Sequence, residues 1–303
     1  MTYQILVPLD GSALAEQALS CAVMLGQRLS AELVLFRAVS IPSDVQAVLD
    51  QAGPQADAVV RWLEDQADEY LCGVANSLRN AGLDVRHVVQ HGAAAEAIVD
   101  YAGQTGIGQI VMATHGYTGL KRWTHGSVAE RVLQAAGVPV LLVRAREADA
   151  ATGLQQPTLC RRILVPLDGS ELAEQVLPVI SPVARALEAE MTLLQVTSSY
   201  VSGSFSGEWY PPLQSTFDAA EQQAKAYLEH MAGRLKEQGI EALTATEIGA
   251  VAQSIIEYAE ANRIDLIAMC THGRTGLARW ALGSVADRVL RAAGIPILLV
   301  RAN

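Results

Sequence analysis

The sequence is poor in aromatic residues and contains no closely spaced pair of cysteines. The first shortage narrows the fold class, and the second argues against a metal site. Aromatics make up 5% of the 303 residues, although half of the chain is apolar. Alanine, valine, leucine and isoleucine must therefore fill the core, as in a parallel sheet covered by helices. The four cysteines form no Cys-x-x-Cys pair and show no metal-type spacing with histidine. We expect reduced thiols and no metal site.

Signals for a membrane, for secretion and for nucleic acid are also missing. No apolar run approaches the roughly 18 residues that a membrane-spanning helix needs. The start of the chain has no basic region followed by an apolar stretch, the mark of a secretory signal. A net charge of −10 and a pI near 5.1 disfavour binding to nucleic acid or to an anionic membrane. We expect a cytoplasmic protein with neither kind of partner.

Three catalytic signatures are absent. No glycine is followed by lysine, which excludes the phosphate-clamping lysine of a P-loop ATPase. There is no Gly-x-Gly-x-x-Gly after the first strand and no Gly-x-Ser-x-Gly nucleophile elbow. The sequence offers no recognisable base, metal cluster or nucleophile. We therefore assign no catalytic residue and expect at most a weak, incidental ATPase.

The chain contains a long internal repeat. Ile5-Leu-Val-Pro-Leu-Asp-Gly-Ser12 recurs unchanged as Ile163-Leu-Val-Pro-Leu-Asp-Gly-Ser170. A glycine-bearing segment, Met112–Val128, recurs as Met269–Val285 at almost the same offset. A period this long indicates duplication of a whole domain, since solenoid repeats are far shorter. The repeat predicts one domain at 1–145, a linker at 146–160 and a second domain at 161–303.

Within each half, helical and strand patterns alternate. Apolar residues at helical spacing predict one amphipathic helix at 14–29 and another at 172–187, the second kinked by Pro178 and Pro182. The remaining pattern gives five strands and four helices per half, with long loops at 40–54 and 198–215. Such alternation predicts an α/β fold of two tandem, open five-stranded parallel sheets with helices on both faces.

The last strand of each half, 138–143 or 295–300, is short and almost wholly apolar. An uncovered edge strand of this kind promotes aggregation. We expect the two last strands to pair with each other, which would make the chain an internal pseudo-dimer. Whether the pseudo-dimer forms a further homodimer is left open.

Each glycine-bearing segment ends in a Gly-Ser pair that opens a helical pattern. Free backbone N–H groups and the positive end of the helix dipole make such a place suitable for an anion. The alternative is that the glycines only permit a tight turn. If the first and fourth strands adjoin, the Asp-Gly-Ser loop faces the same crevice. Asp10 and Asp168 then contact a ligand there, cap the following helix, or do both.

These two markers, Ile-Leu-Val-Pro-Leu-Asp-Gly-Ser and Thr-His-Gly-x-Thr-Gly-Leu-x-Arg-Trp-x-x-Gly-Ser-Val-Ala, resemble those of the universal stress protein family. The resemblance covers nearly the whole chain as two tandem copies. It implies a Rossmann-like fold of the adenine nucleotide α-hydrolase type. The nucleotide-binding branch of that family carries Gly-x2-Gly-x9-Gly-Ser/Thr and holds ATP in the crevice described above.

The resemblance also assigns site residues. The first motif glycine is replaced by Ala113 in one half and by Cys270 in the other. The aspartates fall at the adenosine end, and the last residues of the second strand fall beside the adenine with a methionine nearby. The nucleotide-binding residues implied are Asp10, Ala38, Met112, Ala113, Gly116, Gly126, Ser127 and Val128 in the first half, and Asp168, Val196, Met269, Cys270, Gly273, Gly283, Ser284 and Val285 in the second.

Two functional hypotheses follow. In the first, the chain binds ATP or a related adenine nucleotide, with or without magnesium, as a stress-response sensor or regulator. In the second, it is a nucleotide-free interaction module of the same fold, in which the stretch Ser198–Ser215 recruits a protein partner. The missing first glycine motivates the second hypothesis.

Overall fold

The computed structural model describes residues 2–40, 54–114, 127–145, 160–198, 214–271 and 282–302. The chain divides into two compact units, Met1–Leu159 and Cys160–Asn303. No helix in the described ranges is long and apolar enough to cross a membrane. The predicted loops at 40–54 and 198–215 fall almost entirely outside these ranges.

The first unit alternates strands and helices from its first described residues. Its sheet has the order β3-β2-β1-β4-β5, and every neighbouring pair is parallel. The elements are β1 (Gln4–Pro8), α1 (Ala13–Glu16), α2 (Ala18–Leu29), β2 (Glu32–Val39), α3 (Pro54–Asn80), β3 (Val85–His91), α4 (Ala94–Gln104), β4 (Gln109–Thr114), α5 (Ser127–Ala135) and β5 (Val140–Arg144).

The second unit repeats this plan. Its strands follow the order β8-β7-β6-β9-β10, again with parallel neighbours throughout. The elements are β6 (Arg162–Pro166), α6 (Glu171–Glu174), α7 (Leu177–Leu187), β7 (Glu190–Ser198), α8 (Gln214–Glu237), β8 (Ala242–Gly249), α9 (Val251–Ala261), β9 (Leu266–Cys270), α10 (Ser284–Ala292) and β10 (Ile297–Val300).

The predicted parallel α/β fold is confirmed, and packing in the first unit shows how both sheet faces are covered. On one face, Gly26 of α2 brings its backbone so close to Leu33 that an added Cβ would lie 3.1 Å from a Leu33 methyl group. Phe36 is fully buried, and its ring centroid lies 5.2 Å from that of Tyr101 in α4. Because strand side chains alternate between faces, residues 33 and 36 point in opposite directions. The pairing of the two last strands with each other stays a prediction.

The first helix of each unit differs from the prediction. The expected continuous helix at 14–29 is divided at Gln17, whose N–H donates to the carbonyl of Leu14, three residues earlier. The second unit is divided at the corresponding place, at Gln175 and Val176. Pro178 therefore falls in the first turn of α7, where no backbone N–H is needed, and only Pro182 is interior.

We predict that Phe36→Ala lowers the unfolding free energy of the first unit by about 3–5 kcal/mol, because it leaves a cavity in a fully buried site. Phe36→Leu, which keeps most of the volume, should cost less than about 1.5 kcal/mol. Hydrogen exchange of peptides from each unit, measured in increasing urea, separates the two units. Equal losses in the two variants would contradict the packing described for Phe36.

Candidate functional site

A cleft of about 270 Å³ opens at the carboxyl ends of β6, β7 and β9 in the second unit. It lies where β6 and β9 adjoin and the strand order reverses, the usual place for a ligand in such a sheet. Seven residues chosen from the sequence line it together: Asp168, Val196, Met269, Cys270, Gly283, Ser284 and Val285. The eighth, Gly273, lies outside the described residues.

One end of the cleft is formed by the Asp-Gly-Ser turn. The Oδ1 atom of Asp168 accepts hydrogen bonds from the backbone N–H of Ser170 (3.0 Å) and from its hydroxyl (2.5 Å). Ser170 in turn caps α6 by accepting from the N–H of Ala173 at 3.2 Å. Gly169 has φ +80°, a conformation that glycine adopts without strain. The serine is thus the helix cap, and the turn orients the aspartate.

The opposite end is the N-terminus of α10. Its N-cap is Gly283, which has no side chain that could accept hydrogen bonds from the first helical turn. The N–H of Gly283 donates to the carbonyl of Thr271 at 2.7 Å, which fixes the entry to the helix beside the end of β9. The first-turn N–H groups and the helix dipole therefore present partial positive charge at the cleft. This is a favourable environment for phosphate oxygens.

Between these ends the lining is apolar. Leu194 and Val196 are two residues apart on β7 and so share one face of the sheet, and Val251 and Ile255 of α9 lie one turn apart. Asp168 is the one charged side chain among the described lining residues. An apolar lining with few polar groups suits a ring such as a nucleobase.

Sequence reasoning missed part of this lining. Thr271 directly follows the carboxyl end of β9 and could have been found by its position. Val251 and Ile255 could not, because their periodic spacing in an amphipathic helix resembles that of ordinary core residues. The further lining residues are Pro166, Leu167, Ala173 and Ala286.

Cys270 occupies the place where the family motif has glycine. The residue is 6% exposed and contributes to the cleft wall. Burial raises the pKa of the Cys270 thiol to about 12, and the charge of Asp168 adds to this, although a hydrogen bond with the Val176 backbone opposes it. The thiol is therefore protonated at neutral pH and adds neutral bulk to the wall.

The first unit places its candidate residues at the corresponding end of its sheet. Since β1 lies between β2 and β4, the loop bearing Asp10, the end of β2 with Ala38 and the end of β4 with Ala113 meet at one edge. The turn is built as in the second unit: Oδ1 of Asp10 accepts from the N–H of Ser12 at 2.8 Å, and Ser12 caps α1. Met112 and Ala113 are buried, Val128 is half-buried, Ser127 begins α5, and Gly116 and Gly126 lie outside the described residues.

A wider depression of about 620 Å³ lies at the other end of the second sheet, near the starts of β7 and β8. Its rim carries both signs of charge, including Arg185, Glu188, Lys236 and Glu241. Helices α7 and α8 both end here, so their negative dipole ends face the depression. It is therefore a poor place for a phosphate.

The family assignment follows from comparison with known proteins. The model of the universal stress protein family matches residues 1–144 and 160–301. The chain belongs to the universal stress protein family. Within the described ranges, no three histidine, cysteine, aspartate or glutamate side chains gather closely enough to hold a metal ion.

Relatives within this family match either the whole chain or about half of it. A universal stress protein of Mycolicibacterium smegmatis is 26% identical over 306 residues, which cover 99% of this chain and 97% of the relative. One from Methanocaldococcus jannaschii is 31% identical over 145 residues, 47% of this chain and 83% of the relative. The crystal structure of an Archaeoglobus fulgidus universal stress protein matches the fold with a TM-score of 0.73 at 21% identity, covering 99% of this chain and 98% of that one.

We predict that Cys270 reacts slowly with iodoacetamide in the folded protein at pH 7–8, because its raised pKa leaves little thiolate. Its rate should keep rising with pH as far as the protein stays folded, toward a pKa of about 12. Mass spectrometry of the labelled Cys270 peptide measures this, with the urea-unfolded chain as control. A rate that levels off near pH 8–9 in the folded protein would contradict the environment described.

Proposed function

We propose that the chain binds ATP or a related adenine nucleotide and acts in the cytoplasm as a stress-response sensor or regulator. One observation carries the proposal: a single cleft combines a carboxylate at one end, an apolar lining in the middle and the N-terminus of a helix at the other end. These three environments match the amino group or ribose, the base and the phosphates of such a ligand.

Each part of the nucleotide has a suitable partner in this arrangement. The base packs between Val196 of β7 and the apolar side chains of α9. The Asp168 carboxylate accepts a hydrogen bond from an amino or hydroxyl group of the adenosine. The phosphates lie at the first turn of α10, where Ser284 supplies a hydroxyl as well as backbone N–H groups. Magnesium, where present, would be held chiefly by the phosphates.

The lining supports binding rather than turnover. Asp168 is its one carboxylate among the described residues, and the Cys270 thiol is protonated at neutral pH. Hydrolysis needs an oriented water or nucleophile, a base to activate it and stabilisation of the transferred phosphoryl group. The described lining supplies only the last of these, through the helix N-terminus. The regulatory response would then depend on whether a nucleotide is bound in the cleft and not on its hydrolysis.

The second candidate function is a nucleotide-free interaction module. The bulk of Cys270 favours it, because a side chain stands where the motif has glycine and the ligand would approach the backbone closely. Removing that bulk distinguishes the two functions. In a binding protein it should improve affinity, whereas in a nucleotide-free module it should change nothing.

Isothermal titration of the full chain with ATP and magnesium tests the proposal. We expect Cys270→Gly to tighten binding in the second unit and Asp168→Ala to weaken it by about tenfold, the loss of one charge-assisted hydrogen bond. Ala113→Gly is the matched control in the first unit, where only one methyl group is removed. If neither the wild-type chain nor Cys270→Gly binds at millimolar ATP, the proposal is wrong.

A further inference from the structure

The same pair of side chains joins a short and a long helix in each unit. In the first, the hydroxyl of Tyr70 in α3 donates to Oε1 of Glu16 in α1 at 2.7 Å. In the second, the hydroxyl of Tyr227 in α8 donates to Oε1 of Glu174 in α6 at 3.2 Å. Both glutamates stand in the shared sequence Leu-Ala-Glu-Gln. The contact has thus been kept in both copies.

These bonds lie next to the proposed ligand sites. Helices α1 and α6 have four residues each and begin directly after the Asp-Gly-Ser turns. A helix of one turn has too few internal hydrogen bonds to hold its own orientation. Helices α3 and α8, with 27 and 24 residues, pack on the sheets and bury residues such as Leu71 and Leu228 completely. The tyrosine therefore ties the turn that carries the aspartate to a rigid part of each unit.

The charge of the turn aspartate in each unit acts on the nearby tyrosine. Burial raises the pKa of Tyr70, and the hydrogen bond and charge of Glu16 and the charge of Asp10 raise it further. The pKa of Tyr227 is raised in the same way, first by burial, then by the charge and hydrogen bond of Glu174, and then by the charge of Asp168. Both hydroxyls stay protonated and remain donors throughout the physiological range.

An arginine lies beside the tyrosine–glutamate pair in each unit. It comes from a strand in the first unit and from the long helix in the second. In the first unit, the guanidinium of Arg37 in β2 lies 5.3 Å from the Tyr70 ring centroid and packs against Gly11 of the turn itself. In the second, Gln195 takes that place in the sequence repeat, and Arg234 of α8 pairs with Glu174 at 3.1 Å instead. Both units therefore keep an arginine next to the tyrosine–glutamate pair, although its position in the sequence differs.

We propose that Tyr70 and Tyr227 are positioning residues for the two nucleotide sites, holding the Asp-Gly-Ser turns so that Asp10 and Asp168 meet the ligand. This role rests on the proposed function. Tyr227 does not line the cleft of the second unit. Each tyrosine acts through the short helix that it restrains. Losing the hydroxyl lets the turn sample other orientations, and the ligand must then select the competent one.

The test measures ATP affinity with the binding of one unit weakened at a time. In an Asp10→Ala background, Tyr227→Phe should weaken binding by about fivefold, the usual effect of one hydrogen bond. Glu174→Gln keeps an acceptor for the tyrosine and should stay within about twofold, since its hydrogen bond survives. In an Asp168→Ala background, Tyr70→Phe should behave like Tyr227→Phe.

Tyr101→Phe is the matched control in the first unit. It removes a half-buried hydroxyl of α4 that accepts a hydrogen bond from Arg86 of β3, away from the turn. It should lower stability without changing ATP affinity. A loss of affinity equal to that of Tyr70→Phe would mean general destabilisation and would overturn the positioning role.

A measurement without ligand separates this proposal from the one it rests on. Amide hydrogen exchange in 169–174 should be faster in Tyr227→Phe than in the wild type when no nucleotide is present. Unchanged exchange, or wild-type affinity in both tyrosine variants, would overturn the positioning role alone. A wild-type chain that binds no ATP would remove the proposed function, and this role with it, whatever the exchange shows.

Discussion

The parallel pairing of the first with the fourth strand in each unit is the constraint on which the site depends. Ile5 pairs with Gln109, and Ile163 with Leu266, although about a hundred residues separate the partners in each pair. This adjacency brings the Asp-Gly-Ser turn opposite the end of β9 and the start of α10 in the second unit. Without it, the aspartate and the helix N-terminus would lie on unrelated parts of the surface.

Much of this could be read from the sequence, because the repeat shows each pattern twice. The alternation of strands and helices fixed the fold class, and residues at strand ends such as Asp168 and Cys270 do gather in one cleft. The division of the first helix was missed, because apolar spacing does not reveal a local change of hydrogen bonding at Gln17. The Tyr227–Glu174 bond was missed because its partners lie 53 residues apart and neither lies in the two marker sequences.

The two units show how a duplicated site can diverge while its frame stays constant. Turn, cap and tyrosine–glutamate bond are the same in both copies, and these set the position of backbone groups. The differences fall on single side chains, Ala113 against Cys270 and Arg37 against Gln195. A change to the turn or its cap would displace the aspartate, whereas the replacement of one of these side chains alters shape or charge in one unit alone.

The first turn of α10 also bears on the acidity of the protein. With a net charge of −10, the surface as a whole repels anions. The partial positive charge at the helix start comes from peptide groups, which belong to the backbone whatever the side chains nearby. It needs no lysine or arginine and does not titrate. The net charge of the surface can therefore change without altering the partial positive charge at the start of α10.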